Sequence, residues 1–103
     1  MTVKEMFEKK YKEYMANISK TAWENHKFYA EAKNIPVFEH IMLCLEITDK
    51  ELRENGIYYE CTDCDLVQLH KSKCLASNRH RQEHGHIDRY WLTKKGYKQL
   101  FAE

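Results

Sequence analysis

One proline and three glycines in 103 residues leave no room for a flexible linker or a low-complexity tract. No apolar run approaches the length needed to cross a bilayer, and Met1-Thr-Val-Lys-Glu-Met-Phe-Glu-Lys-Lys10 lacks the apolar stretch of a secretion signal. A soluble, cytoplasmic protein without a membrane partner is expected. In that compartment the four cysteines are not expected to form disulfides, and the Asn17-Ile-Ser19 sequon carries no meaning. There is no internal repeat. There is also no phosphate-cradling glycine loop, nucleophile elbow or His-Glu-x-x-His, so catalysis is not expected.

What is present fits one globular domain, 43% apolar and 32% charged. The net charge of +1 hides an uneven distribution. Residues 1–65 hold nine Lys/Arg against thirteen Asp/Glu, a net of −4, while residues 66–103 hold eight against three, a net of +5, with four histidines. A positive field concentrated in one block suits an anionic partner, although the two halves could also simply attract each other within the fold.

Residues 2–33 read as a long helix or two helices in series. Phe7, Tyr11, Tyr14 and Ile18 recur at spacings of 4, 3 and 4, on one face, and Met15, Ala22, His26 and Tyr29 continue a rotated apolar stripe. Asn17-Ile-Ser19 marks a break, with Ser19, or Thr21 and Glu24, able to cap a new start. Pro36 suits the first turn of the next helix, a deeply buried one carrying Val37, Phe38, Ile41, Met42 and Leu45 through Cys44. Thr48 and Glu51 form a capping box for a helix barely two turns long, stopped by Asn55-Gly56. Thr62, with Asp65 three residues on, caps a further helix to Cys74 with Leu66 and Leu69 inward. Ala76–Arg81 and Ile87–Leu92 read as hairpin strands joined by Gln82-Glu-His-Gly85, and Thr93 caps a closing helix.

The expected class is mainly α with a small β-hairpin, an α+β winged helix-turn-helix preceded by one or two N-terminal helices. Residues 1–35 form the helical extension, a dimerisation element on this reading, and residues 36–103 the winged domain of a single compact unit.

Several pieces resemble winged helix-turn-helix transcriptional regulators of bacteria and phages. Ile47-Thr48 followed by Glu51-Leu52 resembles the start of their second helix. Leu66-Val-Gln-Leu-His-Lys-Ser-Lys-Cys-Leu75 resembles the end of their recognition helix, and Tyr90-Trp-Leu-Thr-Lys-Lys-Gly96 the Tyr-x-Leu-Thr-x-x-Gly that closes the wing in MarR- and PadR-like proteins. The resemblance spans about residues 36–101. It departs from the family at Lys73 or Cys74, where a glycine usually follows the recognition helix, and at acidic Asp63 and Asp65. It implies a DNA-binding regulator, and the short chain without a ligand domain points to a phage or mobile element.

On double-stranded DNA, the helix over 62–74 would enter the major groove with Gln68, His70, Lys71 and Lys73 as readers, since Gln suits adenine and Lys suits guanine or phosphate. Arg79, Arg81, His84, His86 and Arg89 would carry the wing, about residues 79–89, onto the backbone or minor groove, and Lys94 and Lys95 would hold a neighbouring phosphate. Each surface lysine has an alternative as a solvated charge. A homodimer would bury Phe7, Tyr11, Tyr14, Ile18, Trp23 and Phe28 and read a two-fold site; core packing within one chain is the plainer account of the same residues. The rival function is a protein-interaction module, such as a phage-encoded inhibitor docking on a host protein, with a zinc-stabilised adaptor or RNA binder as a third option.

Cys61-x-x-Cys64, His70 and Cys74 approach a zinc-knuckle spacing. In a helix over 63–74, however, His70 and Cys74 lie about 240° and 280° around the axis from Cys64, too far apart for one ion. No cofactor is expected; the alternative is zinc at Cys61 and Cys64 joined by His80 or another residue of the hairpin. His80, His84 and His86 cluster in the wing as a polar, His-rich loop, with metal- or pH-regulation the sharper alternative. Cys44 reads as a buried core residue.

Overall fold

The computed structural model describes residues 1–58, 64–78 and 89–102. In chain order it places helices α1 (Val3–Ala16), α2 (Lys20–Ala32) and α3 (Val37–Cys44), strand β1 (Glu46–Thr48), helices α4 (Asp49–Glu54) and α5 (Asp65–Lys71), strands β2 (Leu75–Ser77) and β3 (Arg89–Leu92), and helix α6 (Lys94–Leu100). The fold is the expected α+β class with a small hairpin, enlarged to a three-stranded antiparallel sheet by β1.

Local chemistry accounts for most boundaries. Thr2 and Glu5 form a capping box at the start of α1, and Thr48 and Glu51 form the one expected at α4. Ser19, not Thr21, caps α2, its hydroxyl accepting from Ala22 N–H at 3.1 Å. Three helices end in the same bonding pattern. Ile35 N–H reaches Ala30 C=O after α2, Ile57 N–H reaches Leu52 C=O after α4, and Cys74 N–H reaches Leu69 C=O after α5. Each such Schellman turn needs a left-handed residue, supplied in order by Asn34 (φ 55°), Gly56 (φ 77°) and Lys73 (φ 65°).

The sheet order is β1-β3-β2, with Ile47 opposite Tyr90 on one side and Ala76 opposite Trp91 on the other. Beyond Ser77 the pairing continues through Asn78, whose buried side-chain Oδ1 accepts from Arg89 N–H at 3.1 Å. A single core joins Val3, Met6 and Phe7 of α1 to Ile41 and Met42 of α3, Ile47, Leu52, Leu66, Leu69, Tyr90, Leu92 and Tyr97.

Four expectations need correcting. α5 begins at Asp65 with Cys64 as its N-cap and ends at Lys71, so the helix expected from Thr62 to Cys74 is shorter at both ends. Thr62 itself lies outside the described residues. Pro36 takes the N-cap position of α3 and not its first turn. Tyr29, assigned to an apolar stripe, is 54% exposed, because α2 buries only Ala30 deeply. Cys44, expected in the core, is exposed at the last residue of α3.

Candidate nucleic-acid interface

α5 buries Leu66, Val67 and Leu69, and this inner face turns Asp65, Gln68 and Lys71 outward at i, i+3 and i+6. The outward stripe is therefore acidic at its start and basic at its end. Asp65 already has a structural role: its Oδ2 accepts from Val3 N–H at 2.8 Å, so one carboxylate faces the N-terminus of α1 while sitting in the first turn of α5. Negative charge is stabilised at both places by the unpaired N–H groups of helix starts.

The C-terminal end of α5 abuts the start of α6. Thr93 donates its hydroxyl to Lys73 C=O at 2.6 Å and its N–H to Cys74 C=O at 3.1 Å, while its Oγ1 accepts from Gly96 N–H at 3.1 Å. Lys95 Nζ donates to Ser72 C=O at 2.8 Å. A Cβ on residue 96 would stand 1.9 Å from the Cys74 carbonyl oxygen. The Leu-Thr-Lys-Lys-Gly run is thus a fitted joint: Thr93 caps, Lys95 covers a helix-end carbonyl, and Gly96 permits close approach. Lys71, Lys73, Lys94 and Lys95 gather around this joint, and all four are exposed.

Of the residues expected on DNA, Gln68, Lys71, Lys73, Lys94 and Lys95 lie exposed on α5 or at the joint. His70 is half-buried, its Nε2 3.0 Å from Ser77 Oγ and its ring edge-on to Tyr90 at 6.1 Å, so it ties α5 to the hairpin. Arg89 is exposed and lies 3.6 Å from Glu46 on the neighbouring strand. Arg79, Arg81, His84 and His86 lie outside the described residues, as do Cys61 and His80 of the proposed zinc set. Cys64 donates its thiol to Tyr58 C=O at 3.3 Å.

No family model matches the chain, and no curated protein or solved structure is significantly similar to it. The interface therefore rests on its own geometry. Among the described residues no helix is long and apolar enough to cross a membrane.

The expected dimer residues divide. Phe7 is 1% exposed and packed in the chain's own core. Tyr11 packs edge-on against Phe38 with centroids 4.9 Å apart, and Tyr14 Oη lies 2.5 Å from His26 Nε2. Ile18 and Trp23 are half-buried, with Lys27 Nζ 5.9 Å from the Trp23 ring. Phe28 is 67% exposed beside Tyr29 and is the member of the set most open to a partner.

Proposed function

We propose that this chain is a small winged-helix DNA-binding protein that works in the cytoplasm as a transcriptional regulator. The observation that carries the reading is the order α3-β1-α4-α5-β2-β3 with sheet order β1-β3-β2, which sets a short outward-facing helix directly before a hairpin. The exposed lysines at the α5–α6 joint supply cations beside that helix. On this reading Gln68 and Lys71 face the major groove, Lys73, Lys94 and Lys95 hold phosphates, and the exposed Arg89 extends the footprint.

His70 leaves the set of base readers, because its bond to Ser77 holds it as a support of the interface. The N-terminal helices serve a homodimer centred on Phe28 and Tyr29, which would place two α5 helices on a two-fold site. That exposed aromatic pair also favours the second reading, a module that docks on another protein through α2.

The test is a charge reversal of Lys71, Lys73 and Lys94 together, set beside Phe28→Ala with Tyr29→Ala. A DNA reader loses binding to a labelled duplex in the first variant. Its log–log salt slope falls by about 0.9 for each phosphate contact removed. If the lysine variant binds duplex as well as the parent chain, the DNA reading fails.

A further inference from the structure

We propose that His26, His40 and Cys44 form a zinc site that fastens α2 to α3. Among the described residues, their three donor atoms all lie within 4.8 Å of one another. His40 and Cys44 stand one helical turn apart on α3, the i and i+4 spacing that stacks two side chains on one face. His26 comes across from α2 with its ring centroid 5.3 Å from that of His40.

The distances suit an ion. Cys44 Sγ is 3.7 Å from His40 Nε2. A tetrahedral zinc with ordinary Zn–S and Zn–N bonds separates a sulfur and a nitrogen ligand by about 3.6 Å. The Cys44–His40 pair already stands at ligand separation, and the His26 donor, within 4.8 Å, has to move closer by about 1 Å. The donor set, two imidazoles and a thiolate, matches the borderline softness of zinc and does not favour magnesium or calcium.

The surroundings fit as well. Tyr14 Oη lies 2.5 Å from His26 Nε2, so with Nδ1 as the metal ligand this bond would orient the ring as outer-shell partners do for metal-bound imidazoles. His40 is 7% exposed, with the Tyr29 ring stacked over it at 6.2 Å. Burial, then the nearby Lys33 and His26 charges, hold its pKa below the ordinary histidine value. Burial raises the Cys44 thiol, opposed by Lys33, and a bound cation would reverse that by taking the thiolate and releasing the proton. Cys44 is exposed, so the fourth coordination position opens to water. This site is distinct from the Cys61, Cys64 and His80 set drawn from the sequence, and it does not depend on DNA binding.

The experiment titrates the full chain, reduced and freed of metal with a chelator, with Co2+ as a spectroscopic stand-in for zinc. The expected result is a thiolate-to-cobalt charge-transfer band with the intense visible bands of a tetrahedral ion, bleached when Zn2+ is added. Cys44→Ser, at an exposed position, should remove the charge-transfer amplitude of one site while circular dichroism stays unchanged. Cys64→Ser should retain that amplitude, and Tyr14→Phe should weaken cobalt affinity on the order of 10-fold to 100-fold. Absence of the band, or a band that keeps its full amplitude in Cys44→Ser, overturns the proposal.

Discussion

Replacing Gly96 with alanine sets two effects of opposite sign against each other. In an exposed helix the change would stabilise by about 1 kcal/mol through helix propensity. Here the added Cβ would stand 1.9 Å from the Cys74 carbonyl oxygen, where ordinary contact begins at 3.4 Å. The two backbones must therefore part by about 1.5 Å (the difference of those distances). That movement stretches the Thr93 N–H to Cys74 C=O bond, now 3.1 Å, and the 2.6 Å bond from Thr93 Oγ1 to Lys73 C=O beyond bonding range. Two lost hydrogen bonds cost about 1–3 kcal/mol together, and overpacking adds about 1–3 kcal/mol. The clash outweighs the propensity gain, for a net loss of about 1–5 kcal/mol. Equilibrium urea unfolding should show it as a lower midpoint at unchanged slope. Gly56→Ala serves as the contrast: nothing lies within 4 Å of its added Cβ, so only the positive φ of 77° is penalised, at about 1 kcal/mol. If Gly96→Ala is neutral or stabilising, α6 does not abut the end of α5, and the joint on which the lysines are placed is wrong.

Three further outcomes follow from the same contacts. Lys73 holds φ 65° without being glycine, so Lys73→Gly should raise thermal stability by about 0.5–1 kcal/mol, while removing one cation from the proposed DNA footprint. Burial raises the Glu51 pKa, but the Lys10 ion pair at 2.7 Å and the bonds to Thr48 outweigh it, leaving a net lowering below the ordinary 4.5. Its folded-state stabilisation is thus complete above about pH 4.5 and is lost as pH falls through the lowered value; Glu51→Gln should flatten stability against pH in that acid range, and an unchanged profile would contradict the pairing. Asp65→Asn weakens the bond from Val3 N–H and should destabilise the chain by about 1 kcal/mol in the same unfolding assay.

Much of this architecture was legible because it is written in short-range chemistry. Thr48 with Glu51, Ser19, Gly56 and Thr93 each announce a helix boundary within three residues, and each stands where that chemistry puts it. Thr2-Val-Lys-Glu5 carries the same capping-box signature and marks the start of α1. β1 escaped because three residues, Glu46-Ile47-Thr48, have no periodicity of their own and become a strand only by pairing with β3. α5 starts later than the Thr62/Asp65 spacing suggests: its N-cap is Cys64, and the Asp65 carboxylate accepts from Val3, 62 residues away. Long-range choices of this kind leave no local mark. The same reason hid the His26, His40 and Cys44 cluster: His40 and Cys44 show helical spacing, but only the crossing of α2 over α3 brings His26 to them. In the candidate interface, exposure of Gln68 and Lys71 followed from the inward set Leu66 and Leu69, whereas the half-burial of His70 depended on Ser77 and Tyr90 from the hairpin.

The most direct test of DNA binding is fluorescence anisotropy of the purified chain with a labelled random-sequence duplex at several salt concentrations. The account predicts binding at low salt that weakens linearly in log–log form, with a slope of roughly −5 if Lys73, Lys94, Lys95, Arg79, Arg81 and Arg89 each meet a phosphate. Anisotropy that stays flat across the titration at the lowest salt would contradict it.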